Sequence, residues 1–313
     1  MHTPLRILFM GTPDFAVPSL QALLDGPDTV LGVVCQPDRK KGRGRKLMPP
    51  PVKQLAEHTG LSIFQPESIR TDTFFHTIRK LHPDLIVVVA YGKILPGRLL
   101  RLPRLGTINV HASLLPKYRG AAPIQWAVIN GDQETGVTIM QMDEGMDTGD
   151  ILYPVTMPIS KEDTAGSMFD KLARLGGTAL ATAVEKLKQG TLSPTPQNEE
   201  QATHAPMLNK QQGHLDWSLS AEKLHALIRG LDPWPSAYGF INNRRFRFFA
   251  PHLILRPVAE PPGTIVQANA QGLLIATGKH YLRLREMQPE GKKRMTVQAC
   301  LNGTFIEPGD RIV

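Results

Sequence analysis

The segment DLIVVVA at 84–90 most constrains the fold, because it holds five consecutive aliphatic residues with no polar alternation. A strand with one wet face alternates apolar and polar side chains. Only a strand covered on both faces can be apolar throughout, and that demands a layer of helices on each side of a sheet. The rest of the first 190 residues fits this demand. Short β-rich runs, RILFMG (6–11), TVLGVVCQ (29–36), SIFQ (62–65), TINVHA (107–112), VTIMQM (137–142) and ILYPVTM (151–157), alternate with helix-like segments near 16–25, 51–59, 73–81, 121–130 and 164–188. The expectation is an α/β domain with a Rossmann-like, mostly parallel sheet over residues 1–190. After RILFMG the chain continues TPDFAVP rather than GxGxxG, so the glycines that let a backbone approach a pyrophosphate are absent and a dinucleotide site has no support.

The periodicity then stops. TLSPTPQNEEQATHAPM carries Pro, Thr, Gln and Asn in place of an apolar pattern, and residues 191–208 read as a linker. Beyond it, FINNRRFRFFAPHLIL, GTIVQANAQGLLIATG and HYLRLREMQ are strand-like runs punctuated by Asn-Asn, Pro-Pro and Gly. Residues 209–313 are expected to form a small OB-like β-barrel.

Charge separates the two parts. The net charge is +8, and from Lys210 onward fourteen Lys and Arg stand against eight Asp and Glu, so most of the surplus lies in the last third. A polyanionic partner fits that distribution. Within the first domain, RKKGRGRK at 39–46 sets six positive charges and two glycines in one loop, a segment extended by self-repulsion and attractive to phosphate. In the last third Arg244, Arg245 and Arg247 alternate with Phe246, Phe248 and Phe249; the aromatics are expected to face the core and the arginines the solvent. Lys292, Lys293 and Arg294 form a second cluster. Cys35 and Cys300 belong to no CxxC pair, which leaves both as small apolar fillers, and the scattered His residues give no metal site. The apolar runs fall well short of the roughly 20 residues that span a bilayer, and the N-terminal residues lack the apolar centre of a secretory signal, so a cytoplasmic protein with no membrane partner is expected.

The chemistry concentrates in INVHAS. Asn109 and His111 are two residues apart on a strand, so both side chains point to one face while Val110 points to the other. They stand at the carboxyl end of the strand, where open α/β sheets bind ligands. SLLPKYRGAAP follows at once, with Pro116 and Pro123 stiffening the loop. Farther on, VTIMQM runs into the acidic turn DEGMDTGD, whose Asp147 could return toward His111. An Asn that donates to a developing oxyanion, a His that moves a proton and an Asp that orients the imidazole would suffice for acyl transfer to an amine, with no covalent nucleophile.

MGTPDFAVPSL, QPDRKKGRGRKLMPPPVK, VVVAYGKILP, INVHASLLPKYRGAAPIQWAVINGD, TGVTIMQMDEGMDTGDIL, PWPSAY and MQPEGKKRM together span nearly the whole chain, and in this order they resemble the methionyl-tRNA formyltransferases. The Asn109–Ile151 portion is similar to folate-dependent formyltransferases more widely. The resemblance implies the formyltransferase fold and an enzyme of protein biosynthesis that transfers the formyl group of 10-formyltetrahydrofolate to the free amino group of initiator methionyl-tRNA. It implies catalytic roles for Asn109, His111 and Asp147, leaving open which group is general base and which stabilises the oxyanion. It implies folate contacts from the signature Ser113, Leu114, Leu115 and Pro116, and from the loop that holds Tyr91, Ile94 and Leu95. Contacts to tRNA are expected from Lys41, Arg43, Arg45 and Lys46 in the first-domain loop and from Arg244, Arg245, Arg247, Lys292 and Lys293 in the barrel. The implied partners are initiator methionyl-tRNA and the folate donor, and a monomer is the default expectation for an enzyme that must embrace a large RNA. The basic loop and basic barrel argue against a small amine as acceptor. One departure stands at 277–284, where TGKHYLRL replaces the family's usual acidic residue and glycine before a strand and an altered turn is expected.

Overall fold

The structure, a computed structural model, describes residues 3–41 and 46–313, so the expectations on Arg43 and Arg45 lie outside the described residues. The same holds for the side chains of Lys41 and Lys46. The chain divides into two units that are interleaved in sequence. The first takes residues up to 120, 135–157 and 169–204; the second takes 121–134, 158–168 and 205–313.

The first unit is built on strands β1 (Arg6–Gly11), β2 (Thr29–Val34), β5 (Ile63–Phe64), β6 (Leu85–Val89), β7 (Thr107–His111), β8 (Glu134–Gln141) and β9 (Ile151–Pro158), in the order β5-β2-β1-β6-β7-β8-β9. Strands β5, β2, β1, β6 and β7 run parallel, and β8 returns antiparallel to β7. A separate hairpin, β3 (Arg39–Lys41) with β4 (Lys46–Met48), carries the stem of the basic loop. All five residues of β6 are buried, as its unbroken apolar run requires.

Helices of the first unit are α1 (Val17–Leu24), α2 (Pro51–His58), α3 (Asp72–Lys80), the short α4 (Gly97–Leu100) and most of α6 (Ala165–Lys188), while α5 (Pro123–Ile129) belongs to the second unit. On one side of the sheet Leu8, Met10, Val34, Ile86 and Val88 pack with Phe74 and Ile78 of α3 and Leu99 and Leu100 of α4. On the other, Gly177 leaves α6 free to lie against the backbone of Pro18, where a Cβ would stand 2.7 Å from the Pro18 oxygen. Its neighbour Gly176 brings the helix close over Val110, with a Cβ there only 3.0 Å from the valine methyl. Val110 is thus the α6 side of β7, and Asn109 and His111 take the opposite side.

The second unit holds α5, α7 (Ala221–Gly230), α8 (Val297–Leu301) and strands β10 (Ala237–Ile241), β11 (Arg244–Ile254), β12 (Ile265–Asn269), β13 (Gly272–Ala276), β14 (Tyr281–Pro289) and β15 (Met295–Thr296). The antiparallel order is β10-β11-β14-β13-β12, with β15 beside β14. Both open edges are taken up by the last residues of the chain. Val313 exchanges hydrogen bonds with Phe240 of β10 at 2.7 and 3.0 Å, while the Ile312 amide donates to Gly263 (2.9 Å) and the Ile265 amide to Asp310 (2.8 Å). The sheet therefore closes on itself as a barrel, which leaves no unpaired edge at this seam. Leu224 and Ile228 of α7, Phe246 and Phe248 of β11, Leu282 and Leu284 of β14 and Ile312 share its core.

Two internal segments complete this unit. Arg229 of α7 is buried and donates to the carbonyls of Ser160 (3.1 Å) and Asp163 (2.7 Å). Trp126 of α5 donates through its indole to Pro206 O at 2.8 Å. The turn 277–280 is folded around the Thr277 hydroxyl, whose oxygen lies 2.7 Å from the Lys279 carbonyl and 3.0 Å from that of His280, while His280 takes a φ of 68°. Among the described residues no helix is long and apolar enough to cross a membrane.

Candidate active site

Strand β7 delivers Asn109 half-buried and His111 buried on one face, as its two-residue period requires. The Asn109 carboxamide makes no hydrogen bond to any described residue, so its donors and acceptor are available to a ligand. His111 is held tightly: its Nε2 lies 2.9 Å from the Tyr118 carbonyl oxygen. A carbonyl can only accept, so Nε2 carries the hydrogen, and Nδ1 is the nitrogen with a free lone pair in the neutral ring. That Nδ1 stands 3.7 Å from Asp147 Oδ2, an ion-pair distance when the imidazole is protonated and too long for a direct hydrogen bond.

The loop after β7 explains why a carbonyl meets His111. The Ser113 hydroxyl donates to Lys117 O at 2.6 Å, Thr138 Oγ1 of β8 donates to Ser113 O at 2.7 Å, and the Leu115 amide donates to the same Thr138 oxygen at 3.1 Å. These bonds, with Tyr118 at φ 65°, fold the loop back over the strand end. Ser113 and Leu115 are buried within it, while Leu114 and Pro116 are partly exposed. Of the signature, those two side chains are the ones that can meet a ligand.

Tyr91 and Leu95 point into the core with Leu8, Val34 and Phe74, whereas Ile94 is 65% exposed. Burial pushes the Tyr91 phenol up to about 12 and the Cys35 thiol up to about 11, so both stay protonated near neutral pH and neither is a nucleophile there. The backbone of this loop is fixed from below. The Tyr91 carbonyl accepts from Gln36 Nε2 at 3.2 Å and from Thr12 Oγ1 at 3.4 Å.

Asp147 approaches from the turn after β8. There Asp143 Oδ1 accepts from the Gly145 amide (3.0 Å) and from Thr148 Oγ1 (2.8 Å), and Gly149 sits so close to the Gln141 carbonyl that no Cβ fits. Asp147 adopts φ 56°, and its Oδ2 accepts from the Gly120 amide at 2.8 Å. A cavity of about 430 Å³ opens beside this turn, lined by Leu100, Arg104, Gly106, Gln141, Met142 and Glu144 among others.

The structure also assembles groups that local sequence patterns do not reveal. Arg119 is buried, with its guanidinium bonded to both oxygens of Glu199 (2.9 and 2.8 Å) and to Gln197 Oε1 (3.0 and 2.8 Å). The Glu199 pair is the main reason that the Arg119 pKa is raised, and the same hydrogen bond lowers that of Glu199. Gln197 and Glu199 belong to the stretch that composition reads as a linker. Arg119 is carried in the KYRGAAP motif, whereas Gln197 has no local signal at all.

The basic residues of the barrel sort as their alternation suggests. Phe246 and Phe248 are core residues and Phe249 is buried, while Arg244 and Arg247 are exposed. Arg245 is partly exposed and lies over the Tyr238 ring at 4.0 Å. Lys292 and Lys293 are exposed in the turn between β14 and β15.

Residues 5–184 match the formyl transferase family model and residues 207–304 the model of the formyl transferase C-terminal domain. Over 302 residues, 96% of this chain and 94% of the other, the sequence is 58% identical to the methionyl-tRNA formyltransferase of Desulfotalea psychrophila. The chain belongs to the methionyl-tRNA formyltransferase family. Solved structures share its fold at lower identity. The N-formyltransferase of Helicobacter canadensis superposes with a TM-score of 0.67 at 17% identity, over 93% of this chain and all of that one. The methionyl-tRNA formyltransferase of Clostridium thermocellum gives 0.56 at 17%, over 80% and 94%. HypX from Aquifex aeolicus, crystallised with tetrahydrofolic acid, gives 0.65 at 17% over 96% of this chain, which spans only 47% of the length of HypX.

Proposed function

We propose that this formyltransferase moves the formyl group of 10-formyltetrahydrofolate to the amino group of the methionyl moiety of initiator tRNA, supporting translation initiation. The observation that carries this reading is the free Asn109 carboxamide beside a His111 whose Nδ1 faces Asp147. The folate supplies the formyl carbon and, in N10, the leaving nitrogen. Asn109 donates to the formyl oxygen as the amine adds and negative charge builds there. His111 takes the proton that the amine sheds, and it can do so only at Nδ1 because Nε2–H is committed to Tyr118. Asp147 offsets the positive charge that then appears on the ring. As the carbon–N10 bond breaks, the same proton can pass to N10, giving formyl-methionyl-tRNA and tetrahydrofolate with no atom left over.

Leu114, Pro116, the exposed Ile94 and the backbone of residues 91–95 hold the folate in this reading, which their exposure supports, with the cavity beside Met142 as adjoining space. The first unit is the catalytic one in this reading, and residues 209–313 the tRNA-binding part. Arg244, Arg247, Lys292 and Lys293 make phosphate contacts, joined by the basic loop at 39–46. Each phosphate contact removed should flatten the slope of log affinity against log salt by about 0.7–0.9. The protein acts in the cytoplasm, where charged initiator tRNA is used, and as a monomer.

Formyl transfer from a labelled donor, measured with charged initiator tRNA, charged elongator methionyl-tRNA and free methionine, tests the assignment. Rapid formylation confined to charged initiator tRNA is expected. Equal transfer to all three, or to none, overturns it.

A further inference from the structure

Asp147 holds a left-handed backbone conformation, φ 56°, which Asp tolerates better than most residues but which still needs partners to fix the direction of its carboxylate. The surroundings come from residues 195–204. Thr195 exchanges two backbone hydrogen bonds with Ile151 at 2.8 and 2.9 Å, and Thr203 accepts at its carbonyl from the Arg119 amide (2.8 Å) and at its hydroxyl from the Tyr118 amide (2.9 Å). Between these anchors Gln197 donates from Nε2 to the carbonyls of Asp147 (2.8 Å) and Gly149 (2.7 Å).

The bonds form a ring. The Asp147 carboxylate is held by the Gly120 amide; the residue before it, Arg119, donates its guanidinium to Gln197 Oε1; and Gln197 returns to the Asp147 carbonyl. Both ends of Asp147 are therefore referred to Arg119, one through the chain and one through Gln197. A guanidinium offers only donors and a peptide carbonyl only an acceptor, so the carboxamide fits one way round, oxygen to Arg119 and NH₂ to the turn.

We infer that Gln197 is a positioning residue for the formyl transfer described above, holding Asp147 so that its carboxylate faces His111 Nδ1. The inference rests on that functional reading. Dependence on Asp147 separates Gln197 from an ordinary polar anchor, and Glu cannot supply the two donors that the turn takes. Gln197→Glu would strengthen the contact to Arg119 yet set an oxygen against two carbonyl oxygens, and it should fail as badly as Gln197→Met, which keeps the bulk and drops every polar atom.

The test is steady-state formylation by the full-length protein with both substrates varied. Each variant is expected to lose kcat roughly ten- to hundredfold, the scale of two lost hydrogen bonds, with either KM shifted less than about twofold. In an Asp147→Ala background the same replacements should cost less than about twofold, because the residue that Gln197 positions is gone. Wild-type kcat in Gln197→Glu, or an undiminished loss in the Asp147→Ala background, overturns the inference. So does a Gln197→Met protein that no longer melts cooperatively, since Gln197 would then belong to the fold. A wild type without transfer activity removes the functional reading itself, a separate outcome.

Discussion

Replacing Asn109 by Ala should divide activity from stability more cleanly than any other change at this site. The side chain is half-buried and bonded to no described residue, so its removal strands no internal donor or acceptor. The stability cost should stay below about 1 kcal/mol, the range for truncations that open no packed core and break no network. In a protein of this size that is a shift in melting temperature of no more than about 3 °C. The catalytic cost is set by a different quantity. If Asn109 donates to the oxyanion, its loss raises the barrier by about 2.7–4 kcal/mol, or roughly 10²- to 10³-fold in kcat. His111→Ala makes the contrast, because it also removes the hydrogen bond to the Tyr118 carbonyl in a buried place, and about 1–3 kcal/mol of stability should go with the activity. Asn109→Asp should be at least as slow as the Ala variant, since it offers a second negative charge to the developing one. The measurements are kcat and KM for both substrates beside a calorimetric melt of each variant. An Asn109→Ala protein within about threefold of wild-type kcat would refute the oxyanion role, and one that melts far below wild type would make Asn109 a structural residue.

Two further outcomes concern the second unit. Burial, helped by the nearby Arg229 charge, depresses His225 from 6.5 to about 4, and its Nδ1 accepts from Arg229 Nε at 3.2 Å. The unfolded chain therefore binds the proton first as pH falls, so stability present above about pH 6.5 is lost between there and pH 4, up to roughly 3 kcal/mol for a shift of that size. Gln in place of His225 keeps an acceptor and does not titrate; melts of His225→Gln from pH 4 to 7 should show a flatter dependence than wild type, and an unchanged slope would be contrary. Ile312 is buried in the core cluster and lies on the tail that closes the barrel. Ile312→Ala should cost about 2–4 kcal/mol in urea unfolding, and a loss below about 1 kcal/mol would mean the closure adds little.

What the sequence reveals follows from how local the cause is. The unbroken apolar run of β6 names a doubly covered strand because burial on two faces leaves its mark on five adjacent residues. Asn109 and His111 share a face for an equally local reason, the strand's period. Strand β2 stops at Val34, two residues before the apolar-to-polar pattern does, and Gln36 beyond it donates to Tyr91 O, 55 residues away, a contact that no local pattern announces. The four-residue α4 has no period to read. Helix α5 is visible as a helix, yet nothing in PIQWAVI says that it packs with α7, since an apolar face does not name its partner core. The closing tail is hidden for the same reason: its pairings are made by backbone groups, which every sequence possesses.

The stretch around Gln197 is the instructive case, because a linker and a polar brace have the same composition. Both lack an apolar period, the first because it packs against nothing and the second because it serves polar groups on other loops. Arg119 could have separated them. A guanidinium buried beside a sheet must find acceptors, since leaving it bare costs several kcal/mol. Its own loop, LPKYRGAAP, supplies no carboxylate and no carboxamide, so the acceptors had to come from elsewhere in the chain. The QNEE of the supposed linker is one of the few places dense enough in them, and Gln197 and Glu199 are the two that the fold uses. The unmet demand of one buried charge selects the distant segment that meets it, and local pattern plays no part.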